Sequence, residues 1–144
     1  MPPDSRVSIA AFACTLSDLV ALDKNTGQSE SIFQLTNPVI LSVTVTFSGS
    51  GAIALVPLSP QIQVDFFAKS LRDRQELELG CVTLTTLPKQ LIYTPAISLA
   101  NGFDTVGAES NQAYGVSALV RIGASSFPSL ITGMIEGLLL QTYD

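Results

Sequence analysis

The stretch Pro38-Val39-Ile40-Leu41-Ser42-Val43-Thr44-Val45-Thr46-Phe47-Ser48 constrains this chain more than any other, because apolar and small polar residues alternate through it almost without a fault. Val39, Leu41, Val43, Val45 and Phe47 fall on one face, and Ser42, Thr44, Thr46 and Ser48 on the other. A period of two marks a β-strand buried on one side, whereas a helix would scatter these residues around its axis. Val, Thr and Phe also suit a pleated surface, and Pro38 and Gly49-Ser50-Gly51 punctuate the two ends. The stretch reads as a central strand.

The same alternation returns twice. Gln61 to Lys69 points Ile62, Val64, Phe66 and Ala68 inward, and Tyr114 to Ile122 does the same with Tyr114, Val116, Ala118, Val120 and Ile122. Leu77 to Thr85 completes a hairpin with the first of these across the polar tip Leu71 to Glu76, and Gly80 is a site where a bulge switches its facing. Ser31 to Leu35 is a short strand. Gln90 to Thr94 and Ala96 to Leu99 read as one strand interrupted by Pro95, followed by an Asn101-Gly102 turn and a polar loop to Gln112.

Other stretches are less decided. Val7 to Cys14 suits an opening strand, although its alanines also permit a helix. Ser17 to Leu22 is either a short helix capped by Ser17 and broken at Asp23 to Gly27, or a loop or edge strand. Ala52 to Val56, bounded by Pro57 and Pro60, reads as a connection. Leu130 to Tyr143 is long enough for a helix, but Thr132, Gly133 and Gly137 favour a strand.

A length of 144 residues suits one domain spanning residues 1–144. The hydrophobic fraction of 47% supplies a core, while the charged fraction of 13% is about half the ~25% usual in soluble domains. Ser and Thr must cover much of the surface, which fits an extended β protein. Six or seven strands joined by turns, without helices long enough for parallel crossovers, point to an all-β fold, an antiparallel β-sandwich. The order resembles an immunoglobulin-like or fibronectin type III-like β-sandwich of about seven strands, with Tyr114 just before a late strand where such folds carry a corner tyrosine. The chain departs from antibody domains in having no Trp, and Cys14 and Cys81 lie off its two clearest central strands. The resemblance implies architecture and no particular activity.

Several function classes are disfavoured. The net charge is −5, and Arg6, Lys24, Lys69, Arg72, Arg74, Lys89 and Arg121 are scattered, so no basic stripe tracks a phosphate backbone and nucleic acid is not an expected partner. The apolar run Val7 to Cys14 is too short to span a membrane, and Leu130 to Leu140 is interrupted by Gly133, Glu136 and Gly137. A soluble cytoplasmic protein is the expectation. In that reducing setting Cys14 and Cys81 should be free thiols, each directed inward by its apolar neighbours.

With no histidine, Ser-His-Asp and Cys-His arrangements are impossible, and the commonest metal ligand is missing as well. The carboxylate pairs Asp18 with Asp23, Glu76 with Glu78, and Asp104 with Glu109 lie in or beside turns, where solvated charges are the rule. Asp23-Lys24-Asn25-Thr26-Gly27 has the opening of a calcium loop, but its glycine comes one place early and no glutamate closes it. Gly49-Ser50-Gly51 lacks the Lys-Ser or Lys-Thr pair of a phosphate loop. Lys69, Arg72 and Arg74 are neutralised by Asp73, Glu76 and Glu78. Carbohydrate binding would be helped by stacking aromatics, and only Tyr93, Tyr114 and Tyr143 combine a ring with a polar tip. No catalytic residue, cofactor site or metal ligand is assigned.

The reading is therefore a non-catalytic structural or interaction module, a subunit of a homo-oligomer or larger intracellular assembly. The alternative is a small-molecule or calcium-binding domain using the turn carboxylates. The alternation supplies interface candidates: if Phe66 and Val120 face the core, Phe67 and Leu119 face out, and Ile40 lies opposite Val39 and Leu41. With so few charges to interrupt them, such residues could merge into a patch larger than a monomer tolerates. The competing expectation is that Ala52 to Val56 or Ala100 to Gln112 folds back over them.

Overall fold

The structure is a computed structural model that describes residues 13–49, 60–124 and 127–144. The protein is all-β. Nine strands are described: β1 (Ala13–Asp23), β2 (Ile32–Gln34), β3 (Val39–Ser48), β4 (Gln61–Ser70), β5 (Glu76–Thr85), β6 (Ile92–Tyr93), β7 (Ala96–Leu99), β8 (Ala113–Ala124) and β9 (Phe127–Tyr143). One 3-10 helix, Gly102–Val106, interrupts the strands, and there is no α-helix among the described residues. The expected connection Ala52 to Val56 and most of the expected strand Val7 to Cys14 lie outside the described residues.

Two sheets form. In the first, β3 is central, with β1 antiparallel on one side and both β6 and β7 antiparallel on the other. The second has the order β2-β9-β8-β4-β5. Its four long strands pair antiparallel, but β2 joins β9 in parallel, so the expectation of antiparallel pairing throughout is corrected at this edge. The exception is tolerated because β2 reaches its partner from far away in sequence, not through a hairpin.

The alternating faces fall as the residue pattern dictates. Val39, Leu41, Val43, Val45 and Phe47 of β3, Ile62, Val64, Phe66 and Ala68 of β4, and Tyr114, Val116, Ala118, Val120 and Ile122 of β8 are all buried in one core shared by the sheets. The sheets also approach at two margins. A Cβ added at Gly133 of β9 would lie 3.3 Å from Leu16 Cδ1 of β1, and one added at Gly80 of β5 would lie 3.2 Å from Ile97 Cδ1 of β7.

Bulges set the phase of three strands. In β1 the register shifts between Ser17 and Val20, where Asp18 has φ 52°, so Leu16 and Leu19 can both turn toward the core. Ser17 to Leu22 is therefore strand and not helix. In β5 the shift comes opposite Phe66 and Phe67 at Leu79-Gly80, and Leu79 and Val82 both turn inward. That places Cys81 outward and exposed, against the inward position expected of it; Cys14 is half-buried, and both thiols are free. In β9 the extra residue falls at Glu136-Gly137, where Gly137 has φ 109°.

The segment after Asn101 seals one end of the core. Gly102 has φ 67° and lies so close to the backbone of Leu35 and Asn37 that an added Cβ would clash with both carbonyl oxygens. Phe103 packs edge-on against Phe33, 5.8 Å between ring centres, and Asp104 N–H donates to the Leu35 carbonyl. Of the loops considered as a cover for an outer face, this one closes the end of the core instead.

Candidate functional surface on the five-stranded sheet

Alternation along β5, β4, β8 and β9 lays out the outer face of the second sheet as a series of cross-strand rows. Thr83, Gln63, Arg121 and Thr132 form one row, and Cys81, Asp65, Leu119 and Met134 the next. Glu78, Phe67 and Ser117 follow, with the Glu136-Gly137 bulge beside Ser117. Glu76, Lys69, Gly115 and Leu139 form the row beyond. Phe67, Leu119 and Met134 make an apolar centre, and Gly115 leaves a gap between Lys69 and Leu139.

Seven large apolar side chains are exposed among the described residues, and five of them, Ile32, Leu71, Met134, Leu139 and Tyr143, belong to this side of the sheet. They range from 42% to 59% exposed, values that core-facing residues do not approach. Leu71 follows the inward Ser70 and flanks Gly115, its Cδ2 3.9 Å from where a Cβ there would lie, and its N–H donates to the Ala113 carbonyl. Ile32 lies beside Gln141, and Tyr143 beside Gln34. Scattered apolar residues are ordinary on a surface, but a concentration on one sheet face marks an interaction site.

The charges on this face are few and specific. Arg121 Nη2 donates to Asp65 Oδ2 across one row, both side chains being partly buried. Arg121 Nε is buried and has no hydrogen-bond partner. Beside the pair lies an open cleft of about 270 Å³, bounded by Phe67, Glu78, Gly80 and Cys81. The cleft lies at the β5 bulge, where Gly80 carries no side chain.

The three interface residues expected from the sequence do not form one site. Phe67 and Leu119 are diagonal neighbours on the five-stranded sheet, each half-buried. Ile40 is half-buried on the outer face of the other sheet, between Leu22 and Ser98. Sequence reasoning missed Met134, Leu139, Leu71 and Ile32. The signal for Met134 and Leu139 was available only through the pairing of β9 with β8, which puts Met134 beside Leu119 and Leu139 beside Gly115.

The expected ion-binding carboxylates are dispersed. Asp23 Oδ1 accepts from the Asn25 N–H, 2.9 Å, within its own turn. Asp104 is exposed on the 3-10 helix, Asp18 is exposed at the β1 bulge, and Glu76 and Glu78 are exposed on β5. No group of three or more Cys, Asp or Glu side chains able to hold a metal ion occurs among the described residues. At the hairpin tip, the Gln75 N–H bonded to the Asp73 carboxylate holds its pKa below the usual value. Burial raises the pKa of the Cys14 thiol. No helix among the described residues is long and apolar enough to cross a membrane.

No protein-family model matches this chain, and no curated protein matches it. Among solved structures, it is similar to β-glucuronidase from Parabacteroides merdae, with a TM-score of 0.42 and 12% identity over 85% of this chain. It is also similar to Spo0M, a sporulation control protein from Bacillus subtilis, with a TM-score of 0.42 and 11% identity over 96% of this chain. The chain spans 13% of the glucuronidase and 51% of Spo0M.

Proposed function

We propose that this protein is a non-catalytic β-sandwich of immunoglobulin-like type that works as an intracellular interaction module and binds a protein partner through the outer face of its five-stranded sheet. The observation that carries this reading is the gathering of Ile32, Leu71, Met134, Leu139 and Tyr143 on that face, around Phe67 and Leu119. Covering them removes apolar surface from water at about 25 cal/mol per Å². The sandwich reading is supported by the single core shared by two sheets and by Tyr114, whose hydroxyl accepts from the Glu109 N–H five residues upstream, 2.8 Å.

The test is Phe67→Lys combined with Leu119→Lys. Both side chains point away from the core, so the double variant keeps the far-ultraviolet spectrum of the wild type but loses its association in light scattering. A wild type that is monomeric at high micromolar concentration and captures no partner ends the reading. The rival, a small-molecule site, is favoured by the cleft beside Asp65, Glu78, Cys81 and Arg121. It predicts that Glu78→Gln, not Leu119→Lys, abolishes binding of a small ligand in calorimetry.

A further inference from the structure

We infer that the partner on this face is a second copy of the same chain, docked about a two-fold axis that crosses the strands at the row of Phe67 and Ser117; this rests on the interaction reading above. Such an axis lies between the facing sheets and returns each strand onto its own copy with its direction reversed. The row on one side of the axis then meets the row on the other side. Sheets packed face to face keep their strands within about 30° of each other, so correspondence is best in the rows nearest the axis.

The register of the strands makes those rows complementary. Leu119 of one copy meets Gly115 of the other, a half-buried leucine over a position without a side chain. Met134 meets Leu139, both exposed and apolar. Asp65, whose Oδ2 is held by Arg121 of its own chain, meets Lys69, an opposite charge on the same strand. Phe67 meets its own copy at the axis. Knob against gap, apolar against apolar and acid against base thus coincide under one operation. Moving the axis by one row would set Asp65 against Asp65 and Leu119 against Leu119.

The area is adequate. Four strands about 4.8 Å apart and ten residues at about 3.4 Å each give a planar face of roughly 650 Å², which side-chain relief increases. A standard interface buries about 800 Å² per partner. Glu78 and Glu136 would lie near their own copies on the axis, but at the two margins of the face, where salt screens them.

The test exchanges knob and gap. Gly115 is not among the positive-φ glycines, and a Cβ there would sit 3.9 Å from Leu71 Cδ2, an ordinary contact, so Gly115→Leu adds a side chain without straining the backbone. Sedimentation equilibrium is run on wild type, Gly115→Leu, Leu119→Ala and the double variant, with circular dichroism as the check on folding. The inference expects a dimeric wild type, at least a tenfold weaker dimer for each single variant, and recovery in the double variant, whose leucine and small residue have traded rows. Wild-type affinity in Gly115→Leu, or no recovery in a folded double variant, overturns the two-fold register. A monomeric wild type that binds a different protein, with binding lost in Leu119→Lys, overturns the second copy but leaves the interaction reading standing. A monomer with no partner overturns both.

Discussion

Phe66 has no exposed surface and lies in β4 between Gly80 of β5 and Ala118 of β8, two neighbours too small to close over a void. Phe66→Ala should therefore cost about 3–5 kcal/mol in denaturant unfolding, through lost burial plus a persistent cavity. A loss below ~1 kcal/mol would mean the ring is not packed there. The cysteines separate just as sharply. Cys81 should react with a thiol reagent in the native protein, because the β5 bulge has turned it to solvent. Cys14 should lag, because burial holds its thiol protonated and shields it. Equal rates before unfolding would contradict this assignment. The expectation that both cysteines point inward failed at Gly80, since a phase switch reverses every side chain beyond it. For Phe67 and Leu119 the same parity argument held, as no bulge intervenes between them and their buried neighbours along the strand.

Among the elements, β3, β4 and β8 were legible because each keeps one phase along its buried face. The strand β1 was not, since the bulge at Asp18 breaks its alternation and gives Ser17 the look of a helix cap. Similarly, Glu136-Gly137 breaks the pattern of β9, so the alternation of apolar residues does not reveal that Met134 and Leu139 face outward. Ile32 sits in a three-residue strand with too few positions to declare a face, and Leu71 lies in what reads as a polar tip. Two short connections are held by tyrosine hydroxyls. Tyr93 accepts from the Leu87 N–H, 2.8 Å, and donates to the Gln90 carbonyl, 2.9 Å, while Tyr114 accepts from the Glu109 N–H. Removing either hydroxyl leaves a partly buried backbone N–H unsatisfied, at about 1–3 kcal/mol. Tyr93→Phe should lower stability more than Tyr114→Phe in thermal melts, because it loses a donor as well as an acceptor. The reverse order would indicate that water replaces the Tyr93 contacts.

At the scale of the whole molecule, most pairing is between distant segments: β1 with β3, β4 with β8, and β2 with β9. Chains dominated by such non-local pairing fold in milliseconds to seconds. Stopped-flow refolding should fall in that range, and completion within microseconds would contradict the topology. The parallel edge was illegible because a three-residue strand carries no local code for a partner more than a hundred positions away. That distance also orders events during synthesis. Phe33 leaves the ribosome long before its partners, and its strand has no sheet to join until Gln141, Thr142 and Tyr143 have been made. A ribosome stalled before those residues would therefore hold a chain with β9 unfinished and β2 without a partner strand, a ready substrate for chaperones and proteases that survey unfinished proteins.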